Sequence, residues 1–278
     1  MPLNDDDKTY LQEEILRLRR RINELSSPLV DILKIRGFKV HKKEPTDDLM
    51  LPDVEFLDDY YSMLDKYSFR LFLRDVIKYR KSFTLADVTR YATQNVTKKF
   101  LDYLIKIKLV MPAKEDGYIL IGQGIKSFGQ TLEWYIAEIF RREFASECIR
   151  GVKFKRPGVG GDYDIIAKIE GYLLYMEVKS SPPRQVAQSE IKGFLDRIKD
   201  LNPDISVFFM DTELRMKDKI VPMFEEEFLC RPSIERPKIL RLENELFHIQ
   251  DKLFIINSKP SITANIQKTL ARFFRTKQ

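Results

Sequence analysis

Cysteine and histidine are scarce in this 278-residue sequence, which contains two of each. Cys148 and Cys230 lie far apart, and His41 and His248 each stand alone. Structural zinc sites and disulfide frameworks need clustered or paired ligands, so we expect neither, and the thiols favour a reducing compartment. Neither histidine receives a functional role.

Long apolar runs are also absent. No stretch of about 18 apolar residues occurs, which argues against a membrane span. The first residues, MPLNDDDK, are acidic rather than apolar, which argues against a signal peptide. There is no GxxxxGK[ST] phosphate loop and no internal repeat. With 44% hydrophobic and 32% charged residues, the composition indicates a folded protein, and we expect it in the cytoplasm.

Charge is present in excess and is unevenly distributed. The formal net charge is +6, which favours an anionic partner. Residues 44–65 contain eight acidic residues and no basic one, whereas residues 66–126 contain thirteen basic and five acidic residues, a net of +8. An acidic segment therefore precedes a strongly basic one.

The N-terminal part, residues 1–65, contains a predicted helix over 8–26 and, over 44–60, a predicted linker with acidic and aromatic residues that would become ordered only by docking. Apolar residues recur in the helix at spacings of four and three, as in a short coiled coil: Leu11, Ile15, Leu18, Ile22 and Leu25. The helix is too short to form a stable dimer alone. Packing on the chain's own body and contact with a second copy or a partner protein both stay open.

Residues 66–126 form the second predicted unit. We expect a helix from Tyr67, a second helix opened by a capping box of Thr84 and Asp87, and a third capped by Asn95. A hairpin with its turn at residues 115–117 follows. Three helices and a two-stranded hairpin resemble a winged-helix domain.

The winged-helix resemblance implies a nucleic-acid contact by the start of the third helix, which enters the major groove in such domains. The residues there are Gln94, Asn95, Thr97, Lys98 and Lys99. A basic strand with Lys153, Lys155 and Arg156 is a further candidate clamp on a phosphate backbone. Winged helices also bind proteins, so a protein partner is the alternative.

Residues 127–278 read as helix, strand, strand, strand, helix, strand, followed by a further helix, strand and helix. This order predicts an α/β domain with a mixed sheet flanked by helices. Its second and third strands lie in the stretch GGDYDIIAKIEGYLLYMEVKSS, residues 160–181. A two-residue turn at Glu170 and Gly171 places Asp164 opposite Glu177, and Asp162 opposite Lys179, all on one face.

The other face of this hairpin is expected to be apolar, so the register is fixed. It comprises Tyr163, Ile165, Ala167, Ile169, Tyr172, Leu174, Met176 and Val178. Opposed carboxylates repel, and both stay ionised only with a cation between them. Lys179 supplies one positive charge, and Mg²⁺ held by carboxylates would supply two. The alternative is an exposed ion pair at a sheet edge, but Ile166, Leu173 and Tyr175 indicate a partly covered face.

This pattern of Asp164, a twelve-residue gap and Glu177-Val178-Lys179 resembles the PD-(D/E)xK nuclease superfamily, which has the restriction-endonuclease-like fold. Tyr163 stands where the family's name has a proline.

The resemblance implies hydrolysis of phosphodiester bonds with Mg²⁺ or Mn²⁺, DNA being the favoured substrate. Asp164, Glu177 and the Val178 carbonyl would be metal ligands, and Lys179 would activate water as a base or stabilise charge. Glu133 matches a helix glutamate found in many members better than Glu138 does. The alternative is an inactive nucleic-acid-binding or complex-assembly protein on the same fold.

Overall fold

The computed structural model describes residues 10–11, 13–15, 17–18, 20–21, 25, 27–114, 116–122, 124–155, 160–231 and 237–276. The predicted helix over 8–26 falls only partly on these residues, and Ile22 and Arg156 lie outside them. The described residues between 10 and 25 are helical. Leu11, Ile15 and Leu18, three residues of the predicted seam, are each 43–48% exposed.

An eight-stranded mixed sheet dominates the fold, in the order β1-β4-β5-β6-β7-β10-β9-β8. β6 and β10 run parallel to β7, and the other neighbours are antiparallel. The strands are β1 Val40–Lys42, β4 Glu147–Phe154, β5 Tyr163–Ile169, β6 Tyr172–Lys179, β7 Ile205–Met210, β8 Ile239–Glu243, β9 Leu246–Ile249 and β10 Leu253–Asn257. A separate two-stranded sheet contains β2 Val110–Pro112 and β3 Tyr118–Leu120.

Helices flank the large sheet, and two apolar clusters form its two sides. The helices are α1 Leu29–Ile35, α2 Leu57–Leu64, α3 Tyr67–Lys78, α4 Gln94–Lys106, α5 Gly129–Glu143, α6 Gln188–Leu201, α7 Ile220–Cys230 and α8 Ile262–Arg275. One cluster includes the buried face of α5, and the other includes that of α6. The expected α/β class, a mixed sheet flanked by helices, is confirmed. None of the described helices has the length and apolar character needed to cross a bilayer.

The β5–β6 hairpin has the predicted register. Ile169 pairs with Tyr172, and the pairing continues to Ile165 and Met176. Glu170 and Gly171 both have positive φ, 49° and 83°, as a tight two-residue hairpin turn requires.

One face assignment in the hairpin is wrong. Tyr163 belongs to the α6-side cluster, whereas Ile165 belongs to the α5-side cluster. On the neighbouring strand β4, the alternation of side chains between the two faces is broken at the same place. Ile149 and Val152 are three residues apart, yet both belong to the α6-side cluster. Gly151 lies between them with φ +55°, and a Cβ there would come within 2.3 Å of Pro45. The kink at this glycine shifts the alternation of side chains by one residue.

The helical segment, residues 66–126, differs from its prediction in two ways. The second predicted helix is a single 3₁₀ turn, Ala86–Val88, although Thr84 does donate to Asp87 as the capping pattern requires. Thr89 directs its hydroxyl to the Leu85 carbonyl, and the short segment gains too few helical bonds to propagate. Helix α4 is capped by Thr93 rather than Asn95. The hairpin of β2 and β3 is present as predicted.

The acidic segment is more ordered than a linker. Its second half forms α2, in which Tyr60 and Leu64 are fully buried. Tyr60 lies 6.2 Å from Phe69 of α3 and 6.3 Å from Trp134 of α5, between ring centroids. Apolar residues at helical spacing explain the docking, so this part of the acidic segment is ordered by packing on the rest of the chain, as the prediction allowed. The division of the chain into three domains stays a prediction.

Candidate active site

Glu177 forms the centre of a buried charge cluster. It lies near the carboxyl end of β6 and is only 2% exposed. Lys179 Nζ lies 3.0 Å from its Oε1, and Arg197 Nη2 lies 2.7 Å from its Oε2. The Tyr175 hydroxyl donates to the same Oε2. Two cations and a phenol therefore compensate a carboxylate that burial alone would destabilise.

Asp164 joins the cluster from the adjacent strand. Its Oδ2 accepts a hydrogen bond of 2.7 Å from the Val178 amide, which fixes the carboxylate beside the end of β6. Burial raises the pKa of Asp164 well above its ordinary value, and the nearby charges of Glu177 and Glu133 raise it further. Asp164 and Glu177 thus meet as the sequence predicts, and their mutual repulsion is present.

Glu133 adds a third carboxylate from α5. Burial raises its pKa to about 7, against the opposing effect of Arg150, and Asp162 and Glu177 contribute to the rise. A carboxyl group with this pKa exchanges its proton near neutral pH. Glu138 instead pairs with Arg141 and Arg142 at 2.9 and 2.8 Å. These contacts distinguish the two glutamates as the sequence interpretation expected.

Lys179 is a cation in this setting. Burial lowers its pKa, but Glu177 and Glu190 outweigh burial, so the pKa lies above its ordinary value. Lys179 Nζ lies 2.9 Å from Glu190 Oε1. An ammonium group held by two carboxylates has no lone pair to accept a proton. Of the two predicted roles for Lys179, the geometry favours charge stabilisation over general base.

Sequence reasoning missed Arg197 and Glu190, both on α6. Glu190, Gly193 and Arg197 are spaced by three and four residues, so they share one face of that helix. These three residues line a pocket of about 320 Å³ with Asp164, Glu177 and Lys179. The spacing was visible in the sequence, but the packing of α6 against β6 was not.

Other predicted contacts differ from the structure. Asp162 pairs with Lys153 at 3.0 Å rather than with Lys179, because it precedes the first paired residue of β5. Thr97 is 1% exposed and donates to the Thr93 carbonyl, so its assignment to a nucleic-acid contact is wrong.

The remaining residues of that predicted contact are exposed at the start of α4, away from the Glu177 pocket: Gln94, Asn95, Lys98 and Lys99. Lys98 lies 3.3 Å from Asp102, and Lys155 is exposed after the end of β4.

A divalent metal has suitable donors here but no ready-made cage. Among the described residues, no group of three or more Asp, Glu, His or Cys side chains is arranged to hold a metal. Asp164, Glu177 and the Val178 carbonyl provide the oxygen donors that Mg²⁺ prefers. To bind the ion, Glu177 would have to release its ion pair with Arg197 or Lys179. The oxygen donors therefore fit a divalent metal, provided that one of these ion pairs opens.

Comparisons with known proteins find structural likeness only. No protein-family model and no curated protein matches the chain. The fold is similar to Can2 from Sulfobacillus thermosulfidooxidans, solved in complex with cyclic tetra-adenylate, with a TM-score of 0.48 and 16% identity over 87% of this chain and 59% of that one. It is also similar to protein VC1899 from Vibrio cholerae, with a TM-score of 0.42 and 16% identity over 68% of this chain and 53% of that one. The chain spans little more than half the length of either.

Proposed function

We propose that this protein is a metal-dependent nuclease that hydrolyses phosphodiester bonds, with DNA as the favoured substrate. The observation that carries the proposal is the pairing of buried Glu177 with Lys179, beside Asp164 on the adjacent strand. Placing buried carboxylates of like charge side by side costs folding free energy, whereas phosphoryl transfer uses such a cluster.

Each residue has a distinct role in this proposal. Asp164, Glu177 and the Val178 carbonyl would hold Mg²⁺ or Mn²⁺, and such an ion would lower the pKa of water and polarise the phosphate. Glu133 accepts the proton of the attacking water, since its pKa of about 7 suits this step. The water oxygen forms a bond to phosphorus as the bond to the leaving oxygen breaks, and the leaving oxygen takes up a proton from solvent. Lys179 stabilises the negative charge on the phosphate oxygens.

A second candidate is an inactive nucleic-acid-binding or assembly protein on the same fold. Both oxygens of Glu177 are already engaged, by Lys179 on one side and by Arg197 and Tyr175 on the other. A structural ion-pair network would have this appearance. It predicts binding of nucleic acid that is sensitive to salt and indifferent to metal.

Cleavage assays separate the two candidates. We expect the protein to cut supercoiled plasmid, linear duplex or single strands with Mg²⁺ or Mn²⁺ and not with EDTA. Glu177→Gln and Lys179→Ala are each expected to lose roughly 100-fold or more of the activity, because the first removes the charge of a proposed metal ligand and the second removes the cation that stabilises the phosphate oxygens. Gel or fluorescence quantification of the product measures the loss.

Matched controls exclude general damage. Glu138→Gln changes a glutamate paired outside the cluster, and Lys199→Ala changes an exposed lysine, so both should retain activity. Thermal unfolding verifies that each variant is folded. Wild-type protein that binds nucleic acid but cuts no substrate with either metal would support the inactive alternative.

A further inference from the structure

A cleft distinct from the Glu177 pocket lies between the helical segment and the carboxyl ends of β6 and β7. It has a volume of about 1290 Å³. One wall belongs to α3 and the region after it, with Lys78 and Arg90, and the other to the loop after β6, with Ser180 and Arg184. The sheet is parallel at these strands, and ligands of α/β sheets bind outside such carboxyl ends.

The cleft is positively charged. Six cationic side chains line it, against three acidic ones, a net of +3: Arg74, Lys78, Arg80, Arg90, Lys126 and Arg184. Arg90 pairs loosely with Asp75 at 3.8 Å, and Arg74 pairs with Asp211. Within the described ranges, no acidic side chain forms an ion pair with Lys78, Lys126 or Arg184, all of which are exposed. Their charges are available to a ligand.

The floor of the cleft holds a fixed charge pattern. Asp211, at the end of β7, is fully buried and accepts hydrogen bonds from Arg70 at 3.0 Å and from Arg74. Two arginines on one aspartate leave a positive excess at a site that cannot rearrange freely. A buried positive excess beneath exposed lysine and arginine side chains suits a chain of phosphates.

We propose that this cleft binds the phosphodiester backbone of a nucleic acid and leads it toward Glu177. The cleft begins directly after Lys179, since Ser180 and Ser181 line it. Its cations come from elements on both sides, so a ligand must be extended to meet them all. The inference deepens the proposed function by assigning the substrate a path that differs from the start of α4. None of Gln94, Asn95, Lys98 and Lys99 lines the cleft.

Binding measured without metal tests the cleft separately from catalysis. Fluorescence anisotropy of labelled single-stranded and duplex oligonucleotides in EDTA gives the dissociation constant over a range of salt concentrations. Lys78→Glu, Arg90→Glu and Arg184→Glu are each expected to weaken binding to the tighter-bound oligonucleotide about tenfold at low salt. Each should reduce the slope of log K against log salt by about one, the effect of losing one phosphate contact.

Charge-matched controls identify the surface. Lys34→Glu and Lys199→Glu reverse exposed lysines outside the cleft and should change affinity less than about twofold and leave the salt slope unchanged, because neither lysine would contact a phosphate. Lys98→Glu tests the start of α4 and is expected to behave like these controls. The inference is overturned if wild-type protein binds neither oligonucleotide, or if the cleft variants bind as wild type does. Equal losses in cleft variants and controls would also overturn it.

The two proposals fail separately. If cleft variants lose binding while Glu177→Gln and wild type are both inert with metal, the cleft stands and the nuclease proposal falls. If Glu177→Gln abolishes cutting while the cleft variants bind normally, the nuclease proposal stands and the cleft falls.

Discussion

At the scale of single residues, Arg197 engages one oxygen of the Glu177 carboxylate at the centre of the candidate site. Its Nε donates to the Tyr175 hydroxyl at 2.7 Å, and its Nη2 donates to Glu177. The guanidinium occupies space beside Glu177 and brings positive charge to the place where a divalent ion would bind. Without a metal ion, Arg197 stabilises the Glu177 carboxylate. With a metal ion bound, Arg197 would have to share that carboxylate with the ion.

We expect Arg197→Gln to destabilise the metal-free protein by roughly 3–5 kcal/mol, because the variant leaves Glu177 buried beside a neutral group. Mg²⁺ should recover more stability in this variant than in wild type, since the ion no longer competes with Arg197. Urea unfolding with EDTA and with Mg²⁺ measures both effects.

Arg231→Gln is the matched control for this prediction. Arg231 also pairs with an acidic residue on α6, Asp196 at 2.8 Å, but it is more exposed. Its loss should change stability by less than about 1 kcal/mol and leave the response to Mg²⁺ unchanged. An equal Mg²⁺ effect in Arg197→Gln and wild type would contradict competition for Glu177.

At the scale of elements, the sequence predicts the features that depend on a local pattern of residues. Alternation from Ile165 onward and a Glu-Gly turn determine the β5–β6 register, so Asp164 and Glu177 could be placed together. The helix expected from Thr84 is wrong because a capping pair cannot propagate a helix alone. Strands β8 and β9 were missed, since their turn at Asn244, with φ 46°, lacks glycine or proline. Arg197 was missed because only tertiary packing brings α6 to β6.

The junction of α3 with β7 rests on a buried ion cluster. Asp211 accepts hydrogen bonds from Arg70 and Arg74, and Arg70 also donates to the Leu64 carbonyl at 2.6 Å. Burial alone would raise the pKa of Asp211, but the two arginines outweigh burial and hold the pKa below its ordinary value. The ionised aspartate therefore favours the folded state.

This lowered pKa predicts a pH-dependent effect of Asp211→Asn. Above the ordinary aspartate pKa of about 4, the variant should lose roughly 3–5 kcal/mol relative to wild type. As the pH falls below about 4, the aspartate of the unfolded wild-type chain takes up a proton first, so the difference should shrink, and it should vanish once the folded Asp211, with its lower pKa, is protonated as well. Urea unfolding of both proteins at several pH values between acidic and neutral measures this difference in the free energy of unfolding. Asp218→Asn removes an exposed pair with Arg215 and should show less than about 1 kcal/mol at every pH. A difference that does not change with pH would contradict the assignment.

At the scale of the whole molecule, one apolar cluster links the helical segment to the sheet. It includes Phe69 and Phe100 from the helical segment, Trp134 from α5 and Ile165 from β5. Phe69 and Phe100 lie 5.1 Å apart, and Tyr60 of α2 lies near both Phe69 and Trp134. The helical segment, residues 66–126, and the α/β segment, residues 127–278, therefore share a core, and they should unfold together although the chain is long for a two-state protein.

Phe69→Ala tests this shared core. Phe69 is fully buried, so truncation should cost roughly 3–5 kcal/mol. Trp134 is the single tryptophan and lies on α5, so its fluorescence reports on the sheet side. If the core is one unit, far-UV circular dichroism and Trp134 fluorescence should give coincident denaturation curves in wild type, and the variant should shift both equally. Ile35→Ala, at a position 80% exposed, should shift neither. A Trp134 transition that stays in place while part of the helical signal is lost at lower urea would show two independent domains.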